Sequence, residues 1–431
     1  MQLLETLPWA DPINMARGIP NSEEKWIFLF SGLQYPYTGR FSILALHSDD
    51  EIQSDNFSEI ADKLTSEREK FDNAWFGYFG YGLKNCVEEL TKDVKSIIDM
   101  PDLWLFRCNL IIIFDHEMRE INVWGKNREQ LINLPHPSFS PQNDSAKIAK
   151  LSSNMTKSEY LNKVSEIKSA IKNGDLYQAN LTRKFYGELE NEINHIDLFA
   201  KLCTISPSAY SAYVKFGDTH ILSSSPERFI QMDRKGFAET RPIKGSAPRF
   251  HNVTEDKTSK GKLANSEKDK SENLMIVDLM RNDFSRSCEI GSVNTLRLFD
   301  ITSYSTIHHM SSTVEGQKRP DISTIEFIKN AFPPGSMTGA PKIRAMETCS
   351  NLEQIGRGIY SGAIGWFGGD GSCDLSVTIR TVICQGKKFE FQVGGAIVND
   401  SNEEMELEET IFKAKAISQI LNIEKEDLEA L

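Results

Sequence analysis

Strand-like runs in this chain come in close-set pairs, and that spacing limits the fold more than any other feature. Trp26–Phe30 and Phe41–His47 flank the turn-rich Ser31–Arg40. Leu103–His116 and Glu120–Trp124 form a hairpin around Asp115–Arg119. Ile221–Gln231 is followed at once by Gly236–Thr240, and Ser361–Phe367, Cys373–Cys384 and Phe389–Val398 succeed one another between glycines. Parallel neighbours need a crossover of a dozen or more residues, whereas short turns join antiparallel ones. Strands run in pairs between helices, without strict βαβα alternation, so the predicted class is α+β with antiparallel sheets.

Helices fill the intervals. Phe57–Phe71 repeats Phe57, Ile60, Ala61 and Leu64 at helical spacing. Thr156-Lys157-Ser158-Glu159 reads as a capping box, Tyr160, Val164, Ile167 and Ile171 form one apolar stripe, and Asn173-Gly174 ends it. Further helices are predicted over Lys262–Arg281, Pro341–Leu352 (proline in the first turn) and Glu403–Leu421. Ala74–Tyr81 alternates aromatic and small residues, as a strand packed closely against another layer would. Leu134–Ser153, rich in Pro, Ser and Asn, is the linker candidate. It separates residues 1–133 from a region over 154–425, with both expected in one compact unit.

The net charge of −12 disfavours nucleic acid and anionic membranes as partners. A local cationic pocket or a metal can still attract a small anion. The seven cysteines are scattered and form no C-x-x-C pair, which fits a reducing cytoplasm and argues against zinc or a disulfide framework. Met1–Pro20 has no basic flank followed by an apolar run, so no signal peptide is expected. Leu103–Phe114 is too short to span a bilayer and is interrupted by Arg107 and Asn109.

Several residues could carry chemistry. In Thr240–Ser246, Pro242 fixes one φ angle, Gly245 permits close approach, and Lys244 stands among small and apolar neighbours. A desolvated lysine there can act as a nucleophile, although a surface lysine on a turn has the same local sequence. Glu406, Glu409 and Lys413 share a face of the closing helix, and Glu272 lies on the long central helix. Carboxylates from two helices suit Mg²⁺, while an acidic helix start is the plainer alternative. Of His308-His309 on a strand, one is expected inward and one outward. Gly335–Lys342 is not a P-loop, because Ala-Pro precedes the lysine; it reads as an anion-holding loop or a structural turn. Arg380 could clamp a carboxylate, and Glu227 could serve as a buried acid or pair with Arg228.

Taken in order, Ser225–Phe229 (SPERF), Arg241–Ser246 (RPIKGS), Asn265–Asp283, His308–Ser312, Gly335–Met346, Ser361–Gly365, Ser376–Thr381 and Val393–Val398 resemble the chorismate-utilising enzyme family, most closely its aminodeoxychorismate synthase component I branch. The likeness is dense from Tyr160 to the closing helix and looser through Phe30–Phe41 and Trp75–Gly82. It implies an anthranilate synthase component I-like fold, with two packed antiparallel β-sheets surrounded by helices and chorismate between them. It implies Mg²⁺ held by Glu272 and Glu409 with Glu406 nearby. Arg380, Tyr360 and the backbone around Gly394-Gly395 would hold the enolpyruvyl carboxylate, and Ser246, His309 and Lys413 would line the ring side.

Within that family, anthranilate-forming relatives have Ala at the place of Lys244, and isochorismate-forming relatives use a Lys in the segment matching Tyr177–Arg183, where this chain has Gln178. The likeness therefore implies attack of Lys244 on ring C2, protonation of the departing C4 hydroxyl by Glu227, and addition of ammonia at C4. The product, 4-amino-4-deoxychorismate, feeds p-aminobenzoate and folate synthesis after a separate lyase acts. No Gly-x-Cys-x-Gly nucleophile segment is present, so ammonia is expected from a separate glutamine amidotransferase subunit. Some relatives bind tryptophan near the positions of Ser31, Tyr37 and Pro207. Ser246 stands in place of the usual Thr, Ala396 in place of Gly, and Trp366 where Tyr is frequent. The competing expectations are anthranilate synthase component I, disfavoured by Lys244, and a non-catalytic partner protein that keeps the fold.

Overall fold

The computed structural model describes residues 1–33, 38–60, 74–88, 90, 94–138, 145–304 and 307–431. Twenty strands are joined through antiparallel ladders alone among these residues. The organising pair is Phe41–Ser54 with Leu103–Asp115, matched along most of their length. Two series of strands leave this pair from different ends.

The first series runs from Phe41–Ser54 through Lys25–Phe30, Tyr210–Phe216, Thr219–Ser225, Thr381–Gln385 and Lys388–Ile397 to Gln178–Leu189. The second leaves Leu103–Asp115 through Trp75–Phe79, Ala363–Phe367, Cys373–Val377, Arg228–Met232 and Phe237–Arg241 to Ile307–Gln317. Ile243–Pro248 and Asn294–Ser303 complete that side. The register slips between Ser48 and Asp50, next to His47 at φ 57°. Such a bulge bends a strand, which lets one strand pair serve two layers.

Side-chain alternation then builds three apolar layers. Ile27, Ala45, Val214 and Ile221 from one side meet Phe76, Tyr78 and Ile364 from the other. Their strand neighbours Phe28, Leu44, Tyr213 and Leu222 face outward against the helices His195–Ile205 and Glu403–Leu421. Ile230, Leu375 and Val377 pack beneath Glu267–Ser285 and Thr324–Ala331. The fold is thus the expected α+β arrangement of packed antiparallel sheets covered by helices, with the two layers continuous at one edge. No helix among the described residues is long and apolar enough to cross a membrane.

The capping box at Thr156 and the stop at Asn173 are as the sequence predicts. Several predicted elements are divided. Ile221–Gln231 breaks at Pro226-Glu227, because proline cannot donate to a ladder. Lys262–Arg281 is two helices, Val253–Ala264 and Glu267–Ser285, the second capped by Ser266, whose side chain accepts from the Asp269 N–H. Cys373–Cys384 breaks at Thr378–Arg380, where Arg380 takes φ 49°. Part of the linker candidate, Ile148–Ser153, is a strand on Gln178–Leu189. Most of the helix predicted over Phe57–Phe71 lies outside the described residues.

Candidate active site

Both layers end in a cavity of about 370 Å³ capped by the helices Glu267–Ser285 and Glu403–Leu421. Lys244 reaches it because its strand is irregular. Ser246 pairs with His309 and Ile243 with Ser311, leaving one residue more on the Lys244 side. Gly245 absorbs the bulge at φ 84°, and a Cβ there would lie 2.9 Å from Asp269. The Lys244 Nζ comes within 3.4 Å of the Ser336 carbonyl oxygen. Burial pushes this amine below its usual value; Lys413 adds to the effect, while Glu272, Glu227 and Glu409 oppose it.

Glu227 enters the same cavity because Pro226 interrupts its strand. Burial raises its carboxyl to about 7, against the pull of the Lys244 charge. Its neighbour Arg228 is engaged elsewhere, with Asp374 and Glu239. The expected alternative of a Glu227–Arg228 pair is therefore not what forms.

Three carboxylates line the same cavity. Glu272 projects from the central helix, Glu406 and Glu409 from the closing one. Glu406 Oε1 accepts from Ser401 at 2.7 Å, whereas its Oε2 is buried with no hydrogen-bond partner. Glu409 pairs with Lys413 at 2.6 Å, and Lys413 also donates to the Gly394 carbonyl at 2.7 Å. Gly395 does not line the cavity, but a Cβ on it would stand 3.0 Å from Glu406 Oε2 and 3.6 Å from Glu409 Oε1. Burial raises the carboxyls of Glu406 and Glu272, and the Glu409 charge raises both further. For Glu409 burial works upward too, yet Lys413 and Lys244 hold it below its usual value. No three His, Cys, Asp or Glu side chains among the described residues close around one point as a metal cage. The unsatisfied Glu406 oxygen and the upward push of the Glu409 charge on Glu406 and Glu272 nevertheless favour positive charge beside these groups.

His309 shares a 2.7 Å hydrogen bond with Ser246 Oγ through Nδ1 and meets Tyr304 edge-on. Burial lowers it to about 3, helped by Arg380 and His308, so the ring is neutral near pH 7. His308 is buried as well, which corrects the expectation of one outward histidine. The helix Val253–Ala264 covers that face and supplies Asp256, 3.1 Å from His308 Nε2. Tyr360 and Arg380 line the cavity, Arg380 with its guanidinium 3.5 Å from Ser206 Oγ. Burial lowers the Arg380 pKa and raises that of Tyr360.

Some placements differ from the sequence reading. Lys342 is held by Asp283 and the carbonyls of Ala331 and Pro333, so the Gly335–Lys342 segment is a structural turn at its lysine end. Gln178 is fully buried outside the cavity lining, and Asn180, two residues along the same strand face, lines it instead. Met337, within the Gly335–Lys342 segment, lines it too, as do Gln392 and Phe412, which carried no signal in the sequence. A second cavity, of about 570 Å³, is bordered by Ser31, whose hydroxyl donates to the carbonyls of Phe41 and Ala209. Pro207 does not border it, and Tyr37 lies outside the described residues.

Known proteins resemble this chain over most of its length. A family profile described as chorismate binding enzyme matches residues 22–419. Aminodeoxychorismate synthase component 1 of Escherichia coli is 37% identical over 349 residues, covering 80% of this chain and 76% of that protein. Chloroplastic aminodeoxychorismate synthase of Arabidopsis thaliana is 36% identical over 371 residues, covering 80% of this chain; the chain spans 40% of the length of that relative. The crystal structure of anthranilate synthase component I from Streptococcus pneumoniae superimposes with a TM-score of 0.78 at 28% identity, covering 90% of this chain and 93% of that one.

Proposed function

The chain belongs to the chorismate binding enzymes, and from that premise we propose that it converts chorismate and ammonia to 4-amino-4-deoxychorismate through a covalent adduct on Lys244. The observation that carries this reading is Lys244 itself: an amine pushed below its usual pKa, in one cavity with a carboxyl raised to about 7. The E. coli relative named as component 1 of aminodeoxychorismate synthase supports the same reading.

The steps balance as two displacements. The neutral Lys244 amine forms a bond to ring C2, the ring double bonds shift, and the C4–O bond breaks. Glu227 gives its proton to that oxygen, which leaves as water. Ammonia then bonds to C4, the double bonds shift back, the C2–N bond breaks to return Lys244 as the neutral amine, and the new C4 ammonium gives a proton back to Glu227. Splitting one displacement into two lowers each barrier. Arg380 would hold the enolpyruvyl carboxylate with Tyr360 and the backbone at Gly394; Gly395, expected beside it, stands outside the cavity lining. Ser246 and the neutral His309 would hydrogen-bond on the ring side, with Lys413 nearby.

Glu272 and Glu409 would hold Mg²⁺, with Glu406 directly or through water; the unpartnered Glu406 Oε2 fits such a group. When bound, the ion supplies positive charge for the substrate ring carboxylate. The ammonia would come from a separate glutamine amidotransferase subunit. We place the reaction in the cytoplasm, in keeping with seven free cysteines. The cavity beside Ser31 is our candidate for bound tryptophan.

The test is an assay with chorismate, Mg²⁺ and ammonium, run with and without an added lyase. The expected result is p-aminobenzoate only when the lyase is present. Direct release of fluorescent anthranilate without the lyase would replace this reading with anthranilate synthase. Folded protein that forms neither product would support a non-catalytic role.

A further inference from the structure

Behind the cavity floor lies a cation that takes no part in the chemistry above. Arg357 and Glu353 are each 2% exposed. They form a two-pronged pair, Nε to Oε2 at 2.9 Å and Nη2 to Oε1 at 2.7 Å. Such a pair is expensive to desolvate and is weak evidence for stability. Its distinguishing property is where the remaining donors go.

Arg357 Nη1 donates to the Met337 carbonyl at 3.0 Å and to Ser361 Oγ at 3.2 Å. Nη2 also donates to the Asn180 carbonyl at 2.8 Å, and the guanidinium lies 4.6 Å over the Tyr81 ring. Glu353 in turn accepts from the Thr182 N–H at 3.0 Å. The contacts at Met337, Asn180 and Ser361 fall on or beside a wall of the site. Asn180 lines the cavity and gives its own Nδ2–H to the Met337 carbonyl. Met337 follows Ser336, whose carbonyl faces Lys244, and Ser361 follows Tyr360. One planar fork therefore ties together the lysine side, the strand floor and the tyrosine turn.

We propose that Arg357 is a positioning residue for the reaction at Lys244, holding the Ser336–Met337 turn, the Asn180 strand and the Tyr360 turn in mutual register. The proposal rests on the function argued above. Lysine keeps the charge opposite Glu353 but cannot reproduce a five-donor planar fork. A shift of the walls by an ångström is enough to cost about a hundredfold in rate.

The experiment compares wild type with Arg357→Lys by steady-state kinetics over pH. The expected result is a kcat lower by about 10- to 100-fold, with KM for chorismate changed less than about threefold. The limb of the pH profile belonging to Glu227 should move to higher pH, because displacing the turn takes the Ser336 carbonyl from Lys244 Nζ and moves that amine, whose charge, with that of Lys413, helps hold the carboxyl down. A folded variant with unchanged kcat and an unchanged limb overturns the proposal, even if its melting temperature falls. If Arg357→Lys does not fold, the double variant Glu353→Met, Arg357→Leu exchanges the pair for apolar packing and is held to the same outcomes. Wild type that forms no aminodeoxychorismate defeats the functional reading; active wild type beside an unaffected variant defeats this proposal alone.

Discussion

Replacing Gly395 by alanine tests the carboxylate wall with a single methyl group. Gly395 is not among the residues at positive φ, so alanine meets no backbone penalty there. The added Cβ would stand 3.0 Å from Glu406 Oε2 and 3.6 Å from Glu409 Oε1. Ordinary contact begins near 3.5 Å, so Glu406 must retreat by about half an ångström. Its Oε2 has no hydrogen bond to lose, which makes the retreat cheap for the fold. Mg²⁺ is less forgiving, since it demands near-octahedral oxygen geometry at about 2.1 Å. Disturbing such a shell costs about 10- to 100-fold in metal affinity. The assay is an Mg²⁺ titration of initial rate at saturating chorismate, paired with direct Mn²⁺ binding followed by electron paramagnetic resonance. The expected outcome is a weaker metal constant in both, near-normal rate at excess Mg²⁺, and a melting temperature within about 2 °C of wild type, as expected for a change well below 1 kcal/mol. A folded variant with unchanged metal constants would show that Glu406 and Glu409 do not face a metal.

Lys244→Ala should lower ammonia-dependent turnover by about a thousandfold or more. It should also abolish any adduct seen by mass spectrometry when chorismate is supplied without ammonia; wild type that never shows a mass increase on Lys244 under rapid quench counts against the nucleophile role. Glu227→Gln should cost about 10²- to 10⁴-fold. It should also remove the fall in rate above pH about 7, the point at which the wild-type acid loses its proton; an alkaline limb that survives the substitution would assign the acid elsewhere. Stability should fall with pH below about 6.5, because burial holds His309 to about 3 and His195 to about 4, so the unfolded chain binds protons that the folded chain refuses. Each contributes a slope of about 1.4 kcal/mol per pH unit over that window. Glu227, raised on folding, favours the folded state at low pH and runs the other way, so the check is urea unfolding of His195→Gln beside wild type at pH 7 and pH 5; equal losses in the two proteins would refute the linkage.

The closing helix was the most legible part of the site. Positions three and four apart share a helix face, and Glu406, Glu409 and Lys413 do reach one wall. The Thr156 box was legible for a similar reason, since capping is settled within a few residues. What escaped depends on contacts distant in sequence. Alternation assigns a strand face to Gln178 and Asn180 alike but cannot say which of them meets the cavity. Alternation leaves one of His308 and His309 outward, and nothing in that strand announces the helix that covers His308. The break at Asn265-Ser266 had a readable signal, Ser266 with Asp269 three places on, hidden inside a run of good helix formers. Glu353 and Arg357 are spaced for a helical surface pair, and only the surrounding layers turn them into a buried hub.

The sharing of Phe41–Ser54 and Leu103–Asp115 between the two layers has a consequence for how the polypeptide is made. Trp75–Phe79 finds its second neighbour only in Ala363–Phe367, and Lys25–Phe30 only in Tyr210–Phe216. Closing loops of that length is paid in chain entropy before the contacts return anything, so folding is slow. During synthesis the aromatic strand Trp75–Phe79 waits with one edge unpaired until most of the later sequence has emerged. A ribosome-bound chain of this kind is a natural client for chaperones, and its yield should rise when translation is slowed or the temperature lowered.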